Sequence, residues 1–236
     1  NTFNKYFNYL DHKIILEILH LYINDKGLFD RRAFIKNCIS TLSEPNNHET
    51  ANEIIPNALL YCCRQDKAES FQIFFDILPA NLQNSFLDSI KIDEQCLLPF
   101  LIKNNRYTTF STMINILYEK QKIDTILKTY NGNNILNHAL NAYINLSSST
   151  GTALSTTALE NTNKMLICIR SKLEHADLYK LIMPIISPES GQQLTSTRDN
   201  TSTKIQILIF TLKDDKQKYI NLLKIADSSG NNLTHI

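Results

Sequence analysis

Apolar residues recur at helical spacing along most of the chain. Within 13–23 the positions Ile14, Ile15, Ile18, Leu19, Tyr22 and Ile23 gather on one side of a helix. Asp11 is its expected N-cap, and Asn24-Asp25-Lys26-Gly27 its expected stop. A second helix is expected through Ala33, Phe34, Cys38 and Ile39, followed by a polar break over 43–48.

The segments after that break look alike. Residues 57–63 read as a short helix, 64–67 as a polar turn and 70–78 as a second helix. The order returns over 95–102, 103–106 and 110–117, and begins again at 134–140. The apolar pairs Leu59-Leu60, Leu97-Leu98 and Ile135-Leu136 start 38 residues apart each time. Each unit closes on a connector with its own apolar pattern: Leu82, Phe86 and Leu87; Ile123, Ile126 and Leu127; Leu178, Leu181 and Ile182. A glycine mark supports the register, because Gly132-Asn133-Asn134-Ile135-Leu136 is echoed by Gly230-Asn231-Asn232-Leu233 and more weakly by Gly191-Gln192-Gln193-Leu194. The long step from Gly132 to Gly191 contains a Ser/Thr-rich stretch near 147–162, expected as a flexible insertion.

A recurring unit of this length is the signature of a solenoid. One helix pair cannot bury its apolar side alone, so stacked pairs must share a core. The predicted fold class is all-α: a helical-repeat solenoid of stacked helix pairs over 51–236, with an N-terminal helical cap over 1–50.

Composition narrows the choice further. The chain has 236 residues, with 5 Gly and 6 Pro, which is too few for a turn-rich sandwich, barrel or phosphate-loop α/β fold. It has no Val and no Trp, and 26 Asn, a bias that an AT-rich genome produces. A net charge of +1 gives no bulk attraction for nucleic acid or an anionic membrane. Cys38, Cys62, Cys63, Cys96 and Cys168 are odd in number, lack framework spacing and mostly sit among apolar residues. They read as free core thiols in a reducing, cytoplasmic setting. No stretch approaches a membrane span, no secretory leader is seen, and the missing initial Met points to a fragment.

Two stretches resemble the start of an ankyrin repeat, in which an Asp-x-x-Gly turn leads into a Thr-Pro-Leu-His type helix start. They are Asp227-Ser228-Ser229-Gly230-Asn231-Asn232-Leu233-Thr234-His235 and Asn131-Gly132-Asn133-Asn134-Ile135-Leu136-Asn137-His138-Ala139-Leu140. Glycine supplies positive φ in the turn, the polar residue after it caps the helix, Leu packs inward and His or Thr bonds neighbouring backbone. The Thr-Pro pair is absent, the unit is longer than the usual 33 residues, and the copies at 59 and 97 lack the glycine. The chain is thus similar to degenerate ankyrin-like modules of effector proteins that intracellular bacteria deliver into host cells. That resemblance implies a monomeric binding module for a host protein, using turn tips and the concave helix face, without enzyme activity.

Motifs for chemistry are scarce. There is no Cys-x-x-Cys, no His-x-x-x-His and no nucleotide-binding glycine motif, so no metal or cofactor is implied. His138 and His235 share a motif position, which favours a structural role. Asp214-Asp215 and Asp93-Glu94 read as solvated turns, and Phe71, Phe74 and Phe75 as core. By register, the candidate partner-binding residues are Arg64, Gln65, Lys103, Asn104, Asn105, Asn131, Asn133, Tyr143, Asp227 and Asn231. The competing reading is an enzyme or enzyme fragment with a Cys/His site between the N-terminal helices and the first repeats.

Overall fold

The computed structural model describes residues 12–24, 37–38, 48–89, 91–92, 95–148, 153–186, 204 and 206–207. Their backbone is all-α in class. In chain order it runs α1 (His12–Asn24), α2 (His48–Arg64), α3 (Ala68–Ile77), α4 (Ala80–Ser89), β1 (Lys91–Ile92), β2 (Gln95–Cys96), α5 (Leu97–Lys103), α6 (Tyr107–Glu119), α7 (Ile123–Leu127), β3 (Thr129–Tyr130), β4 (Asn133–Asn134), α8 (Ile135–Ser148), α9 (Ala153–Lys172) and α10 (His175–Ile186). The chain separates into two compact units, Asn1–Leu97 and Leu98–Ile236. The expected cap at Asp11, the stop at residues 25–27, the Gly191 and Gly230 motifs and most of the second expected helix lie outside the described residues.

In unit 1, α1 turns Ile15, Leu19 and Ile23 inward and packs on α2. That helix buries Ile54, Ile55, Ala58, Leu59, Cys62 and Cys63, one side of a helix at 3.6-residue spacing. It packs in turn against α3. Phe71, Phe74 and Phe75 are core, as their spacing predicts. Phe86 on α4 closes over two of them, with ring centroids 5.9 Å from Phe71 and 6.3 Å from Phe75. Gln83 fixes the α3–α4 bend, its Nε2 donating to the carbonyls of Phe75 (2.8 Å) and Leu78 (3.0 Å).

Local geometry repeats along the chain. After α2, the Lys67 N–H reaches back to Cys62 O (2.9 Å) and the Asp66 N–H to Cys63 O (3.4 Å), with Asp66 at φ 54°. After α5, Arg106 and Asn105 make the same pair of bonds to Leu101 O (2.8 Å) and Ile102 O (3.0 Å), with Asn105 at φ 57°. After α6, Lys122 and Gln121 repeat it on Leu117 O (2.8 Å) and Tyr118 O (3.0 Å), with Gln121 at φ 56°. This double bond with one left-handed residue is the Schellman stop, which satisfies the last carbonyls of a helix. Asp and Asn tolerate the left-handed region better than other residues with a Cβ, which explains how copies without glycine can still turn.

The hairpins repeat too. Lys91 pairs with Cys96 and Ile92 with Gln95; 38 residues later Thr129 pairs with Asn134 and Tyr130 with Asn133. Buried positions on α3 (Ser70, Phe71, Phe74, Phe75 and, just past its end, Leu78) correspond to Thr109, Phe110, Met113, Ile114 and Leu117 on α6, a shift of 39. Positions 110, 113, 114, 116 and 117 then correspond to Thr162, Met165, Leu166, Cys168 and Ile169 on α9, a shift of 52.

In unit 2, α9 packs against both α6 and α8, and α10 against both α7 and α8. Lys164 lies 5.9 Å from the Tyr107 ring centroid, Cys168 Sγ 3.7 Å from Ser111 Oγ, and Lys172 5.5 Å from the Tyr118 ring centroid. These pairs ascend both helices together, so α6 and α9 run parallel. The connectors of the sequence pattern are the short helices α4, α7 and α10. Of the Ser/Thr-rich stretch, residues 149–152 lie outside the described residues. Ser147 and Ser148 belong to α8, 153–162 belong to α9, and Thr162 is fully buried. The hydroxyls of Ser148 and Thr162 bond the carbonyls four residues back (2.9 Å each), and that of Ser147 the carbonyl three back (2.8 Å), so these side chains are satisfied within the helix.

Candidate interaction surface

Five of the side chains chosen by register fall where helices stop. Arg64 ends α2 and Gln65 follows it in the turn, both exposed. Lys103 ends α5 and Asn104 follows it in the same way, both exposed, and Asn104 Nδ2 donates to Phe100 O (2.9 Å). Asn105 is the left-handed residue of that turn and is half-buried, its Oδ1 shut in without a partner. Its part is in the turn more than on the surface.

Asn131 and Gly132 form the tip of the β3–β4 hairpin at φ 52° and 76°, both exposed. Asn133 accepts from Asn137 Nδ2 at the start of α8. Asn134 is nearly fully buried and joins two elements: Oδ1 accepts the Asn137 N–H (2.9 Å), capping α8, and Nδ2 donates to Leu181 O on α10 (2.7 Å). Tyr130 donates its hydroxyl to Thr125 O on α7 (2.8 Å), and His138 Nε2 lies 3.2 Å from Tyr130 O. Glycine in the turn, a polar cap and a histidine on neighbouring backbone are thus all present at this helix start. Tyr143 lies on α8 and is half-buried; Asp227 and Asn231 lie outside the described residues.

Unit 2 splits its share of the candidates between two places. Residues 103–105 precede α6, whereas the hairpin is tied to α7 and α10 beyond its far end. The 13 residues of α6 separate those ends by about 20 Å. One dimension of register could not show this. It also passed over Lys120, Gln121 and Lys122, a polar run between apolar ones that forms the third left-handed turn. Lys204 was passed over as well. Its Nζ donates to Asn137 Oδ1 (2.7 Å), and partial burial lowers its pKa.

Cys38, Cys62, Cys63 and Cys168 carry the electrostatics of core groups. Burial pushes Cys38 up to about 12, holds Cys62 and Cys63 well above the ordinary thiol range, and raises Cys168 despite its contact with Ser111. A nucleophilic cysteine needs the opposite shift. Among the described residues no group of three His, Cys, Asp or Glu side chains is placed to hold a metal, and no helix is long and apolar enough to cross a membrane. Comparison of the chain with protein-family models, with curated proteins and with solved structures gives no match.

Proposed function

We propose that the chain is a helical-repeat scaffold that binds a protein partner through the side chains exposed at its turn and hairpin tips. The observation that carries this reading is the α6–α9 pair. Two helices with the same spacing of buried residues stand side by side and parallel, as successive repeats do. The turns support it as well. A turn held by two backbone bonds and one left-handed residue presents its flanking side chains in a fixed place. Little ordering entropy is then lost when a partner lands on them. The likeness to ankyrin-like effector modules adds a host protein as the kind of partner, and rests on the stretch 131–140 and its echo at 227–235 alone.

The test is affinity capture from eukaryotic cytosol with the wild-type chain and with a variant carrying Arg64→Ala, Gln65→Ala, Lys103→Ala and Asn104→Ala. These are exposed positions at helix ends, so the melting temperature should move by no more than about 2–4 °C. Proteins retained by the wild type should be lost from the variant. Equal capture by both would overturn the assignment of these turn residues.

A further inference from the structure

We infer that the α1–α2 contact of unit 1 is an acid-sensitive latch, in which proton uptake by His20, stacked on Tyr61 with Nε2 shut away from any hydrogen-bond partner, loosens α1 from α2. The two rings lie 3.7 Å apart between centroids and 15° from coplanar. Tyr61 is itself held, its hydroxyl accepting from Asn24 Nδ2 (2.6 Å) one turn further along α1. Nε2 of His20 is buried and has no partner among the described residues. A neutral imidazole can leave that nitrogen bare. An imidazolium carries a donor on both nitrogens, and one of them would be a charged N–H in a dry seam with no acceptor. The charged ring would gain some attraction from the Tyr61 face. That gain is smaller than the cost of an unpaired buried charge, and burial accordingly holds the His20 pKa below 6.5, with Glu17 pulling the other way.

The surrounding groups agree with this balance. On α1, Glu17 and Lys13 are exposed. On α2, Tyr61 is the ring in contact, Arg64 follows it by three residues, and Cys62 and Cys63 keep their protons. His48, Glu49 and Glu53 lie two or more turns before Tyr61 on the same helix. Below 6.5 the unfolded chain takes a proton on His20 before the folded chain does. Stability from this contact is therefore full above that value and drains as the pH falls toward the lowered pKa. Release of α1 bares Ile15, Leu19 and Ile23 together with the side of α2 that they cover.

The experiment uses the whole chain. The His20 ring is titrated by NMR, and exchange of the α1 amides is followed at about pH 7.5 and about pH 5, corrected for intrinsic rates. The titration midpoint should fall below 6.5, and α1 protection should drop several-fold at the lower pH while α6 keeps its own. His20→Phe preserves the stacked ring without a titrating group and should remove the pH dependence; Glu17→Gln should move the midpoint lower. A midpoint at or above the ordinary value, α1 protection that does not change with pH, or the same loss in His20→Phe would overturn the inference. The wild-type titration decides the matter even where a variant does not fold.

Discussion

Phe71→Ala is expected to destabilise unit 1 by about 3–5 kcal/mol, the usual cost of deleting a fully buried aromatic ring. Phe71 has no exposed surface, stacks on Phe75 at 6.0 Å and meets Phe86 from α4 at 5.9 Å. It therefore joins two helices, and the void left by alanine would face side chains held on both. The loss should be read by urea denaturation followed by circular dichroism. Ile73 on the same helix is half-buried, and Ile73→Ala serves as the control with a smaller cost. A Phe71→Ala loss no larger than that of the control would mean that the aromatic cluster is not the core of this unit.

Asn134→Ala is the second large effect, at about 2–4 kcal/mol. Removing a cap costs about 1 kcal/mol, and a buried carbonyl left without its donor costs about 1–3 kcal/mol more. Both apply, because one side chain caps α8 and also holds Leu181 O. Asn134→Asp separates the two. It keeps an acceptor for the Asn137 N–H and places negative charge at a helix N-terminus, which is favourable. It loses the donor, however, and sets a carboxylate against a carbonyl. Only part of the stability should return. Full recovery in Asn134→Asp, measured by thermal unfolding, would show that the bond to α10 contributes nothing.

The helices were legible because their apolar spacing is regular. The 13–23 stripe became α1, the Leu59 and Leu97 pairs entered α2 and α5, and Ile135-Leu136 opened α8. The connectors were visible as apolar patterns; at Ile123–Leu127 the helix itself was not, because five residues give too short a run to show a period. Two of the three Schellman turns were legible as polar breaks, at 64–67 and 103–106, and the one at Gln121 was not. Among the described residues glycine stands at the hairpin tip at 132, while Asp66, Asn105 and Gln121 take the same left-handed conformation with a side chain attached. Polar composition, not glycine, is what marks the first two. At the two flanks of the Ser/Thr-rich stretch, hydroxyls that favour loops in composition bond back within a helix, as Thr162 does to Ala158.

The candidate surface was legible in part. Polar residues between apolar runs mark turn tips, so Arg64, Gln65, Lys103 and Asn104 are exposed where they were expected. Asn105 and Tyr143 were expected at the surface and are half-buried, because one is fixed by its turn and the other lies along α8. The tie between β4 and α10 joins residues 47 apart, and nothing in the local pattern announces it.

A repeat architecture requires equivalent helices to stand beside one another in the same direction. Nuclear Overhauser contacts within unit 2 are the measurement that decides it. Parallel packing of α6 and α9 gives contacts from the Tyr107 ring to the Lys164 side chain and from the Tyr118 ring to that of Lys172. Contacts from Tyr107 to Lys172 and from Tyr118 to Lys164 instead would make the two helices antiparallel and contradict the repeat.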